Sequence, residues 1–169
     1  MQNTIFDYEA ENADNKMDAK IYVAGPLFTD AERHFNEKLA EILREKGYDV
    51  FLPQELSIDF DSKTWQQDTF HTNVKHIDES DIVIAVLDGP ICDDGTSWEV
   101  GYAWAKNKPI IGFRTDFRTA GPEGVINLML GYSVHKLCDD YEKLFQELEL
   151  IQKIKDSLLQ ISEKRDINV

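Results

Sequence analysis

The chain has 169 residues, 42% of them hydrophobic, a size and composition suited to one globular domain with its own core. Its 32 acidic against 18 basic residues leave a formal net charge of -14, so the surface field repels polyanions and argues against polymeric nucleic acid or an anionic membrane as partner. Two widely separated cysteines, Cys92 and Cys138, without a CxxC pattern, a start that lacks a signal peptide, and no apolar run of transmembrane length give the expectation of a cytoplasmic protein.

Residues 1–18 are polar and show no sustained period, and they read as a mobile or loosely docked N-terminal extension ahead of a single α/β domain over 19–169. From Lys20 the pattern sharpens. KIYVAG is a short apolar run closed by Gly25-Pro26, which predicts a buried strand and a turn. Phe35, Leu39, Ile42 and Leu43 then recur at helical spacing up to Gly47, a helix stop, and YDVFLP follows as a second strand.

Residues 64–79 carry Phe70, Val74 and Ile77 at helical intervals and lead into DIVIAVLDG, apolar almost throughout, as a strand covered on both faces must be. SWEVGYAWAKN predicts the next helix, with Thr96 as its cap. PIIGFR is a fourth strand and SVHKL a short fifth. A final helix from Tyr141 bears Leu144, Phe145, Leu148, Ile151, Ile154 and Leu158 as its packing stripe. Strictly alternating strands and helices imply a doubly wound, five-stranded parallel sheet in a three-layer, flavodoxin-like (Rossmann-like) sandwich.

In such sheets ligands bind beyond the carboxyl ends of the strands where the strand order reverses, here between the first and third strands. The loop Ala24-Gly25-Pro26-Leu27-Phe28 and the segment from Asp88 to Thr96 face that crevice. AGPLF has neither GxGxxG nor a Walker lysine, and Pro26 removes an amide donor, so a dinucleotide or nucleoside triphosphate site is not expected.

Within DDGTSWEVGYA, Glu99 has two readings: partner of Thr96 in a capping box, or a carboxylate able to attack an anomeric carbon, kept ionised by the helix dipole. Asp93 and Asp94 are turn residues before Gly95, or a second carboxyl group that holds or protonates a heterocycle. Tyr22 is a packing residue or a hydroxyl partner of Glu99. Phe28, Trp98 and Trp104 read first as core, with Phe28 also placed to stack on a base at the crevice rim. Arg114 and Arg118 read as surface charges. His71 and His76, five apart, miss the spacing of a helical metal pair, so neither a metal site nor a cofactor site is expected.

IYVAGPLF, DESDIVIAVLDG, DDGTSWEVGYAWA and INLML, in that order over Lys20 to Phe145, resemble the nucleoside 2-deoxyribosyltransferase family. The resemblance implies transfer of a 2-deoxyribosyl group between nucleobases through a covalent intermediate, with retention at C1. It gives Glu99 the role of nucleophile, Asp93 that of base contact and proton carrier, and Tyr22 that of hydrogen-bond partner to the nucleophile. Asn127 and Met129 resemble residues that members lend to a neighbouring subunit's site, implying a homo-oligomer. Asn73 stands where some members have aspartate, and Gln54 falls near a polar base-contacting position. The substrates implied are deoxynucleosides and free bases. Two alternatives stand beside this one: a hydrolase of deoxynucleosides or their monophosphates, whose first loop carries Ser and Arg where this chain has Pro26-Leu27-Phe28, and a domain that only binds nucleosides.

Overall fold

The computed structural model describes residues 19–119 and 124–166; the extension over 1–18 lies outside them. Five strands, β1 (Lys20–Ala24), β2 (Asp49–Phe51), β3 (Ile82–Val86), β4 (Ile110–Phe113) and β5 (Lys136–Cys138), form one parallel sheet in the order β2-β1-β3-β4-β5. Among the described residues five helices connect and close it: α1 (Asp30–Glu45), α2 (Trp65–Glu79), α3 (Asp94–Ala105), α4 (Leu128–Ser133) and α5 (Tyr141–Asp166). A single 3-10 turn, Pro53–Glu55, follows β2. The doubly wound architecture and its switch point between β1 and β3 are therefore as the alternation predicts.

Each central strand feeds two cores, because successive side chains leave a strand on opposite faces. Ile21 and Val23 of β1 point with Ile84 and Val86 of β3 into the layer closed by Leu39 and Leu43 of α1 and Leu144 and Leu148 of α5. Tyr22 and Ala24 point with Val83 and Ala85 into the other, closed by Ile77 of α2, Val100 and Ala103 of α3 and Leu130 of α4. Burying both faces explains the continuous apolar run of β3. It also decides which helices Tyr22 can meet.

Local signals set the ends of the elements. Thr29 caps α1 in a reciprocal capping box with Glu32, and Gly47, at φ 92°, turns the chain out of it. Helix α3 starts earlier than SWEVGYAWAKN suggests, with Asp93 rather than Thr96 as its cap. The short helix α4 has no apolar period long enough to announce it. Five expectations of burial and one of exposure are overturned, and among the first are Ile154 and Leu158 of the α5 stripe, 52% and 62% exposed. Phe28, Trp98 and Trp104 are 71%, 45% and 60% exposed, and Arg114, read as a surface charge, is 3% exposed.

Candidate functional site

The β1–β3 register, Tyr22 opposite Val83, sets the Tyr22 ring beneath α3. Its hydroxyl donates to Oε1 of Glu99 at 2.5 Å. The ring is fully buried and stacks on Phe51 at a centroid distance of 5.5 Å, and Phe51 in turn stacks on His76 at 3.6 Å. A phenol held in such a column has little rotational freedom, so the donor is aimed before any ligand arrives.

Glu99 lies in the second turn of α3, because Asp93 is the cap and Asp94 the first helical residue. It is therefore not the third helical residue of a box with Thr96, and the expectation that the helix end keeps it ionised is corrected. Burial raises its pKa to about 7, opposed by the Tyr22 hydrogen bond and reinforced by the charge of Asp93. Burial and the adjacent Glu99 charge together push the Tyr22 phenol upward, so it remains a donor across the physiological range.

Asp93 is held by the cap itself: its Oδ2 accepts from the Thr96 amide at 2.9 Å and from the Thr96 hydroxyl at 3.1 Å. A Cβ at Gly95 would come within 3.1 Å of that oxygen, so a side chain there would press on the carboxylate. Bond and charge thus bring Tyr22, Asp93 and Glu99 into one cluster at the carboxyl edge of the sheet.

A second group lines the other side of the switch point. Gly25 comes so near α1 and β3 that a Cβ would lie 3.1 Å from Oδ1 of Asn36 and 3.2 Å from Cβ of Val86. Gln54, on the turn after β2, donates from Nε2 to the Arg33 carbonyl at 2.9 Å and accepts at Oε1 from Nδ2 of Asn36 at 3.2 Å. Phe28 projects outward, its amide donating to Glu32 at 3.0 Å. Asn73, on α2, has a buried Oδ1 with no hydrogen-bond partner.

Asn127 and Met129 stand apart from both groups. Asn127 caps α4 by accepting from the Met129 amide at 2.9 Å, and the Met129 side chain is 70% exposed. A cavity of about 410 Å³ lies between α4 and β5, lined by Val125, Leu128, Tyr132, Val134 and Leu137 among others, away from Tyr22 and Glu99. Among the described residues no three His, Cys, Asp or Glu side chains gather as a metal cluster, and no helix is long and apolar enough to cross a membrane.

Sequence reasoning missed Asn36 and the role of Arg114. Asn36 carried a signal: it precedes Leu39, Ala40 and Leu43 by three, four and seven residues, so it is a polar residue on the buried face of α1. Arg114 carried little, because two of its three carbonyl partners, those of Leu87 and Gly89, belong to a distant loop.

The strand order and a half-buried carboxylate beside its switch point define a Rossmann-like α/β protein with a candidate small-molecule site. The model of the nucleoside 2-deoxyribosyltransferase family matches residues 21–148, and the chain belongs to that family. That family comprises enzymes that act on N-glycosidic bonds. The fold is similar to that of a 2-deoxyribosyltransferase from the psychrotolerant bacterium Bacillus psychrosaccharolyticus, with a TM-score of 0.66, 30% identity, and coverage of 75% of this chain and 90% of that one. It is similar to that of a conserved protein from Enterococcus faecalis, with a TM-score of 0.70, 28% identity, and coverage of 79% and 98%. In sequence, an uncharacterized protein of Ureaplasma parvum is 34% identical over 101 residues, a match spanning 54% of this chain and 63% of that relative's length.

Proposed function

We propose that this protein exchanges nucleobases on 2-deoxyribose, with Glu99 as the nucleophile. The observation that carries the reading is the Tyr22–Glu99 hydrogen bond: a half-buried carboxylate aimed by a fully buried phenol, with a second carboxylate at the cap of the same helix. No packing need accounts for an acidic side chain there, since its burial works against its own ionisation.

An oxygen of Glu99 attacks C1 of the deoxyribose as the N-glycosidic bond breaks. The bonding pair leaves with the base, whose nitrogen takes up a proton beside Asp93. The deoxyribosyl ester of Glu99 is then attacked at C1 by a second base, which loses a proton and frees the carboxylate. Two inversions give retention. Tyr22 stabilises the departing carboxylate charge, while Gly25, Phe28, Gln54 and Asn73 surround the nucleoside. Pro26, together with an α1 start whose Phe28 and Thr29 amides are already occupied by Glu32, favours unphosphorylated substrates.

Asn127 and Met129 complete the site of a neighbouring copy in this reading. Support comes from the apolar surface around α4, where Leu128, Met129 and Tyr132 are 49%, 70% and 87% exposed. The two free cysteines suit a cytoplasmic setting.

Incubating a purine deoxynucleoside with free cytosine, and separating the products by chromatography, tests the function. Appearance of deoxycytidine supports transfer. Free deoxyribose alone points to a hydrolase, and no turnover points to a binding domain.

A further inference from the structure

Asn36 is 2% exposed, a polar side chain on the otherwise apolar inner face of α1. Its Nδ2 donates twice, to the Pro26 carbonyl at 2.8 Å and to Oε1 of Gln54 at 3.2 Å. Both partners are acceptors, so the orientation of the amide is fixed by its surroundings: turned over, it would set oxygen against oxygen. The remaining Oδ1 faces Gly25 and is buried with no hydrogen-bond partner. A core residue chosen for stability alone would not leave that acceptor unsatisfied.

The two bonds tie together two neighbouring loops on the β1 side of the switch point, Gly25-Pro26 after β1 and Gln54 after β2. Gln54 is also held at its other end, where Nε2 donates to the Arg33 carbonyl at 2.9 Å. An amide has two N–H groups and two lone pairs on oxygen, so these bonds leave one donor and one acceptor of Gln54 uncommitted, in a plane that α1 has set. An adjacent donor and acceptor match the edge of adenine or cytosine, where an exocyclic amine adjoins a ring nitrogen.

We propose that Asn36 is a positioning residue that fixes the Gln54 amide for nucleobase recognition. The inference rests on the proposed function, with Gln54 as a base contact. Asn36 touches no substrate. It acts by removing rotational freedom from Gln54, so its loss falls on base binding rather than on attack at C1.

Equilibrium dialysis of the full chain against adenine and against cytosine tests it without requiring turnover. Asn36→Leu, close in size but without a donor, weakens binding of at least one base about tenfold, the worth of one well-made hydrogen bond. Gln54→Leu loses a similar amount, and the double variant stays within about twofold of Gln54→Leu, because both act through one contact. In base exchange the KM for the acceptor rises while kcat stays within about threefold. Asn36→Ser, with a smaller change to the core, is measured alongside, and thermal melts establish that each variant is folded. Unchanged base binding in folded Asn36→Leu and Asn36→Ser overturns the inference, as do additive losses in the double variant or a fall in kcat at constant KM. A wild-type protein that neither binds a base nor exchanges bases fails the proposed function itself, an outcome separate from these.

Discussion

The Tyr22 hydroxyl donates to Oε1 of Glu99 at 2.5 Å while Asp93 pushes on the same carboxylate through space. Their effects on Glu99 have opposite signs. The bond favours the ionised form, and the Asp93 charge, with burial, favours the neutral one.

That opposition predicts a pH dependence with two diagnostic shifts. If attack needs the carboxylate, kcat/KM climbs on the acid side and levels off above about pH 7, the value at which Glu99 gives up its proton. Tyr22→Phe removes the stabilising donor and moves the acid limb to higher pH. Asp93→Asn removes the repulsion and moves it to lower pH, whatever it does to the plateau. pH–rate profiles of the three proteins check both directions.

The same carboxylate lowers the stability of the fold. Its folded pKa of about 7 lies above the ordinary glutamate value of 4.5, so between those pH values the native state holds more proton than the unfolded chain. Stability therefore falls as pH rises through that window, and the full penalty is present above it. Glu99→Gln keeps an acceptor for Tyr22 and has no charge to bury, so it stabilises the protein by about 1–3 kcal/mol at pH 8. The gain shrinks towards zero below about pH 4.5. Urea titrations at the two pH values measure the difference.

Arg114 governs a different kind of stability. Its guanidinium donates to the carbonyls of Leu87, Gly89 (2.8 Å) and Arg118 (2.9 Å), latching the loop that leads to Asp93 onto the end of β4. Asp88 reinforces the latch by accepting from the amides of Thr115 and Asp116. Arg114→Met leaves those carbonyls without their donor. With about 1–3 kcal/mol at stake for each, and part returned by no longer burying a cation, the expected loss is about 2–4 kcal/mol. Chemical denaturation reports it directly.

Much of this architecture is legible in the chain because periodicity is a strong signal. The runs IYVA and IVIAV, separated by helical patterns, suffice for the sheet and its order. Capping is less legible. Thr29-Asp30-Ala31-Glu32 and Thr96-Ser97-Trp98-Glu99 have the same spacing, yet only the first forms a box. In the second, Asp93 takes the cap and the Thr96 amide, which carries α3 back by a turn and leaves Glu99 for Tyr22. A partner 77 residues away in sequence outcompetes the local one, and no window of local sequence contains it. Asn36 is the intermediate case, visible as a polar residue in an apolar stripe but with partners only the fold supplies.

The exposure of Trp98 has a related cause. Local hydrophobicity marks it as core, but Val100 and Ala103 occupy the face of α3 that meets the sheet, and the indole is left to stack on Tyr102 at 5.2 Å across the outer surface. Helical phase, rather than residue type, decides burial here.

The central claim is that Glu99 carries the deoxyribosyl group between bases, and intact-protein mass spectrometry after acid quenching with a purine deoxynucleoside tests it most directly. The expected result is a protein heavier by one deoxyribosyl group, with the addition mapping to the peptide that contains Glu99, lost when cytosine is added before the quench and absent from Glu99→Gln. Base exchange that proceeds unchanged in Glu99→Gln, or an adduct located on any other residue, would contradict it.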